Sequence, residues 1–435
     1  MKNYITILCF LFSTSFIYSQ FNISGQILNR SEYKHGYGNL IDTGINPAVS
    51  IGQRSRLNAT YQVDKVKMGI AIQDIRTWGN TAQTKLSDGF LSVHEAWLEF
   101  NMSSKFSAKI GRQELDYDDA RFLGNLDWAL QARAHDIALI KYTDTADKLS
   151  IHGGFAYNQT ADLMTGNYYT LANQYKMAQF LWFNKRWDKI TLGGLLWNNG
   201  LQGDSAIFKE EKVLYTTTIG LPVIRYKEKD WTFGGFFYYQ FGNDIKDRKV
   251  SAYDVSAEVN YTKPFTQGKK LSTTLGMECL SGTSQTDTAN KEIHSYNPFY
   301  GTNHRFNGYM DYFYVGGRHL NSVGLMDAYL TMKYDFSPQF FAGASVHYFQ
   351  STASIRDTKV AGLVEASSYL GTEIDITAGY IFSDVLSFQA GYSQMLASES
   401  LKLLRGGSLS TSQNWAYFAI LFRPNMKNKF VGLKW

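Results

Sequence analysis

Residues 253–262, with the sequence YDVSAEVNYT, alternate without interruption between apolar and polar side chains. Alternate residues of a β-strand lie on the same face. The stretch therefore predicts a strand with one apolar face and one polar face that carries Asp254 and Glu258. The apolar face consists of aromatic and aliphatic residues: Tyr253, Val255, Ala257, Val259 and Tyr261. A strand of this kind fits the boundary between an apolar and an aqueous phase.

The same alternation recurs along the chain, and no sustained 3.6-residue pattern interrupts it. Residues 54–63 and 373–380 are two further clear examples. We predict eighteen strands, at residues 21–30, 50–63, 66–77, 91–101, 105–114, 132–142, 148–158, 175–185, 189–198, 213–225, 231–242, 250–262, 271–281, 323–335, 339–350, 370–381, 386–396 and 414–423.

The connections between these strands alternate between tight turns and mostly long loops. Eight turns lie on one side and nine loops on the other, which puts both termini on the side of the turns. This polarity is typical of an antiparallel up-and-down β-barrel in the outer membrane, with its turns in the periplasm. We therefore predict an all-β transmembrane barrel of about 18 strands. Aromatic residues near strand ends, Trp97 and Trp231 among them, are expected in its interfacial girdles.

The composition excludes several other classes of protein. Of the 435 residues, 19% are charged and 15% are aromatic, and the net charge is only +5. Ordinary soluble domains have about 25% charged residues. Beyond the N-terminus no apolar run reaches the roughly 18 residues that a spanning helix needs. The composition therefore argues against a helical membrane protein, and the small net charge gives no reason to expect nucleic acid as a partner.

The N-terminus predicts export from the cytoplasm. Residues 1–19, MKNYITILCFLFSTSFIYS, have a lysine start, an apolar centre and a small residue at the end. This pattern is typical of a secretory signal peptide, so residues 20–435 are expected to form the mature barrel. Its removal would leave Cys279 as the one cysteine, which cannot form an intramolecular disulfide. The lipid of the bacterial outer membrane is then the first expected partner.

Two strands contain charges where the apolar face should continue. Asp74 and Arg76 follow Ile72 on one, and Arg112 follows Ile110 on the other. The first strand is expected either to leave the membrane there or to change face at a bulge, and Gly111 is the expected bulge in the second.

A barrel of this size can hold an aqueous channel lined by its polar face. One interpretation is that arginines of the first six strands and their loops form a cationic path for an anionic solute, because guanidinium groups bind carboxylates. The alternative is that they pair with Glu95, Glu99 and Asp136 and merely neutralise the interior. The arginines concerned are Arg54, Arg56, Arg76, Arg112, Arg121 and Arg133.

Motifs for catalysis or cofactor binding are weak throughout. His94-Glu95 does not extend to H-E-x-x-H, and neither a G-x-S-x-G motif nor a nucleotide-binding loop occurs. We therefore expect no enzyme activity, no cofactor and no metal, and we expect transport to run downhill or to be driven by partners.

Residues 111–136, GRQELDYDDARFLGNLDWALQARAHD, resemble the alginate-export family of outer-membrane barrels. Residues 73–79, QDIRTWG, and 296–317, YNPFYGTNHRFNGYMDYFYVGG, agree with it in the expected order. The resemblance implies a channel that passes an anionic uronate polymer through an arginine-rich constriction with acidic residues. By motif position this role falls to Arg76, Arg112, Glu114, Arg121, Arg133 and Asp136, whereas Arg54 and Arg56 rest on alternation alone.

The chain departs from exporters that have a long periplasmic plug, because no connection on the turn side exceeds about eight residues. Any gate is then expected to come from the outer loops. The loop at 282–322 is the best candidate, with Arg305 and Arg318 able to fold inward. Packing that only stiffens the barrel is the alternative role of this loop.

The sequence thus predicts an outer-membrane channel for anionic polysaccharide or oligosaccharide, with an alginate-like uronate polymer as the first choice. Periplasmic export components would be further partners. The alternative is a general or anion-selective porin for the uptake of small organic acids or sugars.

Overall fold

The computed structural model describes residues 21–85, 87, 89–171, 174–208, 210–313, 322–424 and 429–433. The predicted signal peptide at 1–19 and Arg318 lie outside the described residues. The structure contains eighteen β-strands, as the alternation predicts.

The strands are β1 (Phe21–His35), β2 (Ala48–Val63), β3 (Val66–Thr77), β4 (Leu91–Asn101), β5 (Phe106–Gln113), β6 (His135–Asp144), β7 (Leu149–Tyr157), β8 (Met177–Arg186), β9 (Ile190–Gln202), β10 (Val213–Glu228), β11 (Trp231–Asn243), β12 (Lys249–Pro264), β13 (Lys270–Leu280), β14 (Leu325–Asp335), β15 (Phe340–Gln350), β16 (Tyr369–Ile381), β17 (Leu386–Ala397) and β18 (Gln413–Phe422). One short helix, α1 (Glu399–Arg405), and two 3₁₀ turns (Thr266–Gly268 and Asn303–Arg305) lie in connections. No helix in the described part of the chain is long and apolar enough to cross a membrane.

Each strand pairs antiparallel with the next, and β18 pairs with β1 to close the sheet. The closing ladder runs from Ile27 opposite Phe422 to His35 opposite Asn414. Closure gives every strand two neighbours, so the backbone groups of the wall find hydrogen-bond partners without water. The predicted fold, a closed barrel of 18 antiparallel strands, is confirmed.

The connections follow the predicted polarity. Eight turns of two to five residues lie on one side, and nine connections of five to 44 residues lie on the other. Phe21 pairs with Tyr61 and Phe422 with Leu386, so both ends of the barrel wall lie on the turn side. By analogy with bacterial barrels this side faces the periplasm.

The outward face of the wall is an exposed apolar surface. Alternate residues such as Leu57, Leu275 and Ile376 are 54%, 60% and 53% exposed. Their neighbours in sequence point into the barrel, and many of them are buried there: Arg54, Arg56, Asp254, Glu278, Asp327, Glu373 and Asp375 are each at most 7% exposed. The apolar surface contacts lipid, and the charged side chains are shielded inside.

Neither of the two irregular strands changes face, so of the two expectations for the first strand the change of face at a bulge is wrong. β3 pairs with β2 in continuous register, so Asp74 and Arg76 stay on the outward face above the apolar residues. The bulge lies in β4 instead, where His94 is the extra residue between Val93 and Glu95.

The bulge predicted at Gly111 is wrong. Gly111 has φ +120°, which favours glycine, but its pairing with Trp97 and Ile137 causes no shift of register. Arg112 therefore remains on the outward face, in line with Ile110.

Adjacent residues of β2 allow a test of the two faces. Replacing Leu57 with Arg puts a charge against lipid and should lower the free energy of unfolding by about 2–4 kcal/mol. The matched variant Asn58→Arg places the same side chain in the lumen and should lower it much less. Denaturant unfolding in lipid vesicles, followed by tryptophan fluorescence, measures both, and equal losses would contradict this assignment of faces.

Candidate functional site: the lumen

The lumen is occupied by residues 114–134, the connection between β5 and β6, which we call inward loop 1. Its apolar side chains Leu115, Phe122 and Leu123 are only 1–2% exposed. Phe122 contacts the rings of Trp197 and Tyr238 on the inner wall at centroid distances of 6.3 and 6.0 Å. Inward loop 1 is therefore packed against the wall of β9 and β11.

Residues 293–313, from the connection between β13 and β14, also lie inside the barrel and are called inward loop 2. Met310 and Tyr312 are 0% exposed. The Met310 amide donates to the Glu373 carboxylate on β16 at 2.8 Å, and the Tyr312 hydroxyl donates to the carbonyl of Gly36 at 2.5 Å. This loop is the one that the sequence predicts as a gate.

The two inward loops are joined to each other. Trp128 of loop 1 stacks on His304 of loop 2, with ring centroids 4.1 Å apart and planes 5° from parallel. The Arg133 guanidinium donates to the carbonyls of Gly301 at 3.1 Å and Tyr300. Burial lowers the pKa of Arg133 to about 10, so it remains charged at neutral pH. Arg133 therefore joins the two loops through backbone carbonyls.

Arg121 fixes inward loop 1 to the opposite wall. Its Nε lies 3.1 Å from Asp254 Oδ2 on β12 and 2.6 Å from Glu278 Oε1 on β13, and none of the three side chains is more than 4% exposed. Burial lowers the pKa of Arg121, but the two facing carboxylates more than offset that effect and leave it above its ordinary value. The guanidinium also lies over the Phe306 ring of inward loop 2, 4.8 Å from its centre. This placement makes Arg121 a buried anchor.

Arg54 and Arg56 of β2 also form ion pairs with carboxylates of inward loop 1. Arg54 donates to Asp127 Oδ1 of inward loop 1 at 2.7 Å, and Arg56 donates to Glu114 Oε1 at 3.2 Å. Asp127 also accepts from Arg423 at 2.5 Å. Burial raises the pKa of Asp127, but Arg54 and Arg423 outweigh it and hold the pKa below its usual range.

The acidic residues predicted for the path lie beside these arginines. Glu114 also accepts from His94 at 2.7 Å and from Asn125 at 2.9 Å, and Glu95 accepts from the Glu114 amide at 3.0 Å. Glu99, nearer the turn side, pairs with Lys141. The three carboxylates therefore remain on the lumen side of the wall.

Arg76, Arg112 and Asp136 lie elsewhere. Arg76 pairs with Asp74 at 2.5 Å, and Arg112 pairs with Asp136 at 2.8 Å. Both pairs are on the outward face near the loop side, and the Arg112 and Asp136 side chains are 41% and 60% exposed. They are separated from the lumen by the wall.

Besides Arg133, the lumen cations without an ion-pair partner among the described residues include Lys67, Lys109 and Arg305. Lys109 Nζ lies 3.9 Å from the centre of the Trp97 ring, and Lys67 Nζ lies 5.9 Å from it. Trp97 covers Gly69, where an added Cβ would overlap the indole. The expectation that Trp97 belongs to an outer girdle is wrong, because its place between Glu95 and Glu99 on the polar face of β4 turns it inward.

Arg305 is half-buried on inward loop 2 between His304 and Phe306. Its Nε is buried without a hydrogen-bond partner. Asp116 of inward loop 1 is the acid that faces it. Burial raises the pKa of Asp116, and Arg305 offsets this only in part.

Residues 26–156 match the family described as alginate export. The match begins within β1 and ends within β7. It includes inward loop 1, and over these residues it confirms the predicted resemblance. No curated protein matches the chain.

Solved structures of outer-membrane proteins are similar over the whole barrel. Acinetobacter baumannii OccAB4 aligns with a TM-score of 0.59 and 10% identity, covering 92% of this chain and 97% of its own. Pseudomonas aeruginosa OccK1 (OpdK) aligns with a TM-score of 0.58 and 12% identity, covering 92% and 98%. At such identities the likeness shows the fold. With the closed barrel and the match to the alginate export family over residues 26–156, it supports an outer-membrane barrel with the architecture of porins.

The two kinds of arginine in this channel can be compared directly. Arg121→Gln leaves Asp254 and Glu278 facing each other without a cation, which should lower the free energy of unfolding by about 3–5 kcal/mol. Arg112→Gln removes an exposed pair and should cost about 1 kcal/mol or less. Denaturant unfolding in vesicles measures both, and similar losses would contradict the anchoring role of Arg121.

Asp118 of inward loop 1 gives the channel a pH-sensitive contact. Burial raises its pKa to about 6, although Trp182 donates to it at 2.9 Å. The ordinary pKa of an aspartate is about 3.9, so the stability that the neutral Asp118 carboxyl gives to the fold is complete below that pH and is lost as the pH rises through about 6.

Tryptophan fluorescence of the channel should therefore change with a midpoint near the pKa of Asp118, about 6. The variant Asp118→Asn keeps the hydrogen-bonding shape and should lack this transition. A transition of the same size in that variant would show that another group titrates.

Proposed function

We propose that this channel passes acidic saccharides of the uronate type by passive transport. The observation that carries the proposal concerns two lysines, Lys67 and Lys109, which have no ion-pair partner among the described residues. Both lie beside the inward-facing ring of Trp97. A uronate presents a carboxylate to a cation and an apolar sugar face to an aromatic ring.

The arginines of the lumen are less suited to hold the solute. Arg54, Arg56 and Arg121 already bind carboxylates at 2.6–3.2 Å and are nearly inaccessible. A solute could displace these partners only by leaving Asp127, Glu114 or Glu278 as an uncompensated buried charge, which is unfavourable. The free lysines have no such partner to displace.

Arg305 supplies a second cationic site, farther from the turn side than the two lysines. It lies on inward loop 2, near Asp116 of inward loop 1. A solute that leaves the lysines would meet this guanidinium next. Two weak sites in sequence favour movement, since conduction requires binding that is strong enough for entry and weak enough for release.

Neighbouring carboxylates limit how long an anion stays. Glu95, Glu99 and Glu114 line the same side of the lumen. They repel a uronate and thereby shorten its residence. The mixed charge suits a channel more than a high-affinity receptor.

The filled lumen favours short saccharides over an extended polymer. The two inward loops are joined by the Trp128–His304 stack and by Arg133, and loop 1 is bound to the far wall by Arg121. A polymer would require all of these contacts to move together, whereas a short saccharide needs only a passage beside them.

Passage of an alginate-like polymer is the second candidate. The match of residues 26–156 to the alginate export family favours it. It would require the inward loops to leave the lumen during transport.

Ion selectivity tests the proposal. Wild-type channels in planar bilayers should prefer anions, and short uronate oligomers should block the current. Lys109→Gln and Arg305→Gln should each reduce the anion preference, and Trp97→Ala should weaken the block with little change of selectivity. Reversal potentials in a salt gradient and blocked current against oligomer concentration are the measurements.

The control is Arg112→Gln, which removes a positive charge from the outward face. It should leave selectivity and block unchanged. The proposal is contradicted if wild-type channels show no anion preference, or if Lys109→Gln and Arg305→Gln behave like the control. Block by long polymers but not by short oligomers would favour the second candidate.

A further inference from the structure

The chain re-enters the barrel after its last strand. β18 ends at Phe422 on the turn side, and residues 429–433 lie inside the mouth of the barrel there. Val431 is 2% exposed. We call residues 429–433 the C-terminal tail, and Arg423 at the end of β18 is its base.

The inner wall of β17 holds the tail by its backbone. Gln389 donates to the Val431 carbonyl at 2.9 Å and accepts from the Val431 amide at 3.1 Å. The Ser387 hydroxyl donates to the Lys429 carbonyl at 2.6 Å. One glutamine thus satisfies both backbone groups of Val431, as a neighbouring strand would.

The tip of the tail reaches the layer where the inward loops meet. A Cβ at Gly432 would overlap the Trp128 ring and touch His304, and Gly432 has φ +74°. Phe430 packs edge-on against Phe341 of β15 with centroids 5.0 Å apart. The tail therefore covers, from the periplasmic side, the same Trp128–His304 stack that the loops form from the other side.

The base of the tail is tied to inward loop 1. Arg423 donates to Asp127 Oδ2 at 2.5 Å and to the Phe430 carbonyl at 3.4 Å. Asp127 in turn binds Arg54 on the wall. Arg423 thus links the end of β18 to the tail and to inward loop 1.

The attachment beyond this base consists of a small set of contacts. Besides the bonds from Gln389 and Ser387, the Lys429 ammonium donates to the Asp384 carbonyl and Phe430 packs on Phe341, but the described residues 429–433 form no strand. A cavity of about 350 Å³ adjoins the tail and is lined by Lys333, Asp335, Phe341, Phe430 and Leu433 among others. Displacement of the tail therefore requires these contacts to break, and the cavity gives it room to move on the turn side.

We propose that the C-terminal tail is a displaceable plug that closes the periplasmic mouth of the lumen. This proposal rests on the function of the protein as a channel. It does not depend on which anion passes. Gln389 holds the plug to the wall through its two hydrogen bonds to Val431, and the plug packs against the stacked rings of Trp128 and His304. A solute passes on that side when residues 429–433 leave the wall.

Two variants release the plug in different ways. A chain ending at residue 428 lacks residues 429–433 but keeps β18 and Arg423, and Gln389→Ala removes both hydrogen bonds to Val431. Gln394→Ala is the matched control, because Gln394 is on the same strand and donates to the carbonyls of Met395 and Gln413 instead. Single-channel conductance should rise severalfold in the truncated chain, should rise or show fewer closures in Gln389→Ala, and should stay at the wild-type value in the control.

A reversible tether tests displacement itself. The Ser387 hydroxyl and the Lys429 carbonyl are close enough that cysteines at these positions can approach disulfide distance. In a Cys279→Ala background, the oxidised Ser387→Cys, Lys429→Cys protein should conduct less than the same protein after reduction. Mass spectrometry of the oxidised protein shows that the bond has formed.

The proposal is overturned if the truncated chain conducts no more than the full chain, or if reduction of a formed tether leaves the current unchanged. These readouts are conductances, whereas the proposed solute class is tested by reversal potential and oligomer block. A channel without anion preference whose current rises on truncation would refute the solute and support the plug.

Discussion

The antiparallel pairing of β1 with β18 is the constraint on which the rest of the structure depends. In lipid an unpaired strand edge would leave a row of backbone amides and carbonyls without partners, and each such group is costly to bury. Once the ladder is closed, alternation alone separates the two environments. Leu57 faces hydrocarbon while Arg56 beside it is buried inside. The interior can then hold charges that neither a membrane nor an ordinary apolar core would tolerate.

Charge burial also decides which lumen groups can serve a solute. A carboxylate partner offsets the cost of enclosing a guanidinium, and Arg54, Arg56 and Arg121 each have one. Their role is to hold inward loop 1 against the wall. Lys67 and Lys109 lie near the turn-side end of the lumen, beside Trp97, and have no ion-pair partner among the described residues. The residues best suited to bind a passing anion are therefore these two lysines, because they do not hold an inward loop to the wall.

Local sequence patterns predict the strands of the barrel wall well, but they predict poorly which segments fill the lumen. Local patterns locate all eighteen strands, with β3 and β4 bounded as predicted, because most strands show their own alternation within about ten residues. The same alternation, applied to Ile110 and Arg112, would have placed Arg112 on the outward face. The position of Arg112 in the family motif suggested the lumen instead. By contrast, Arg121 meets Asp254 across 133 positions of sequence. Nothing local in residues 429–433 indicates that they lie inside the barrel.

Inward loop 1 leaves the wall between β5 and β6 and is fixed through Arg121 to β12 and β13, seven strands away around the circumference of eighteen. It therefore acts as a strut across the diameter. An empty cylinder of this size can flatten under lateral pressure from the bilayer, but a braced one keeps a round cross-section. The same ion pairs that narrow the bore thus make the barrel mechanically stiff.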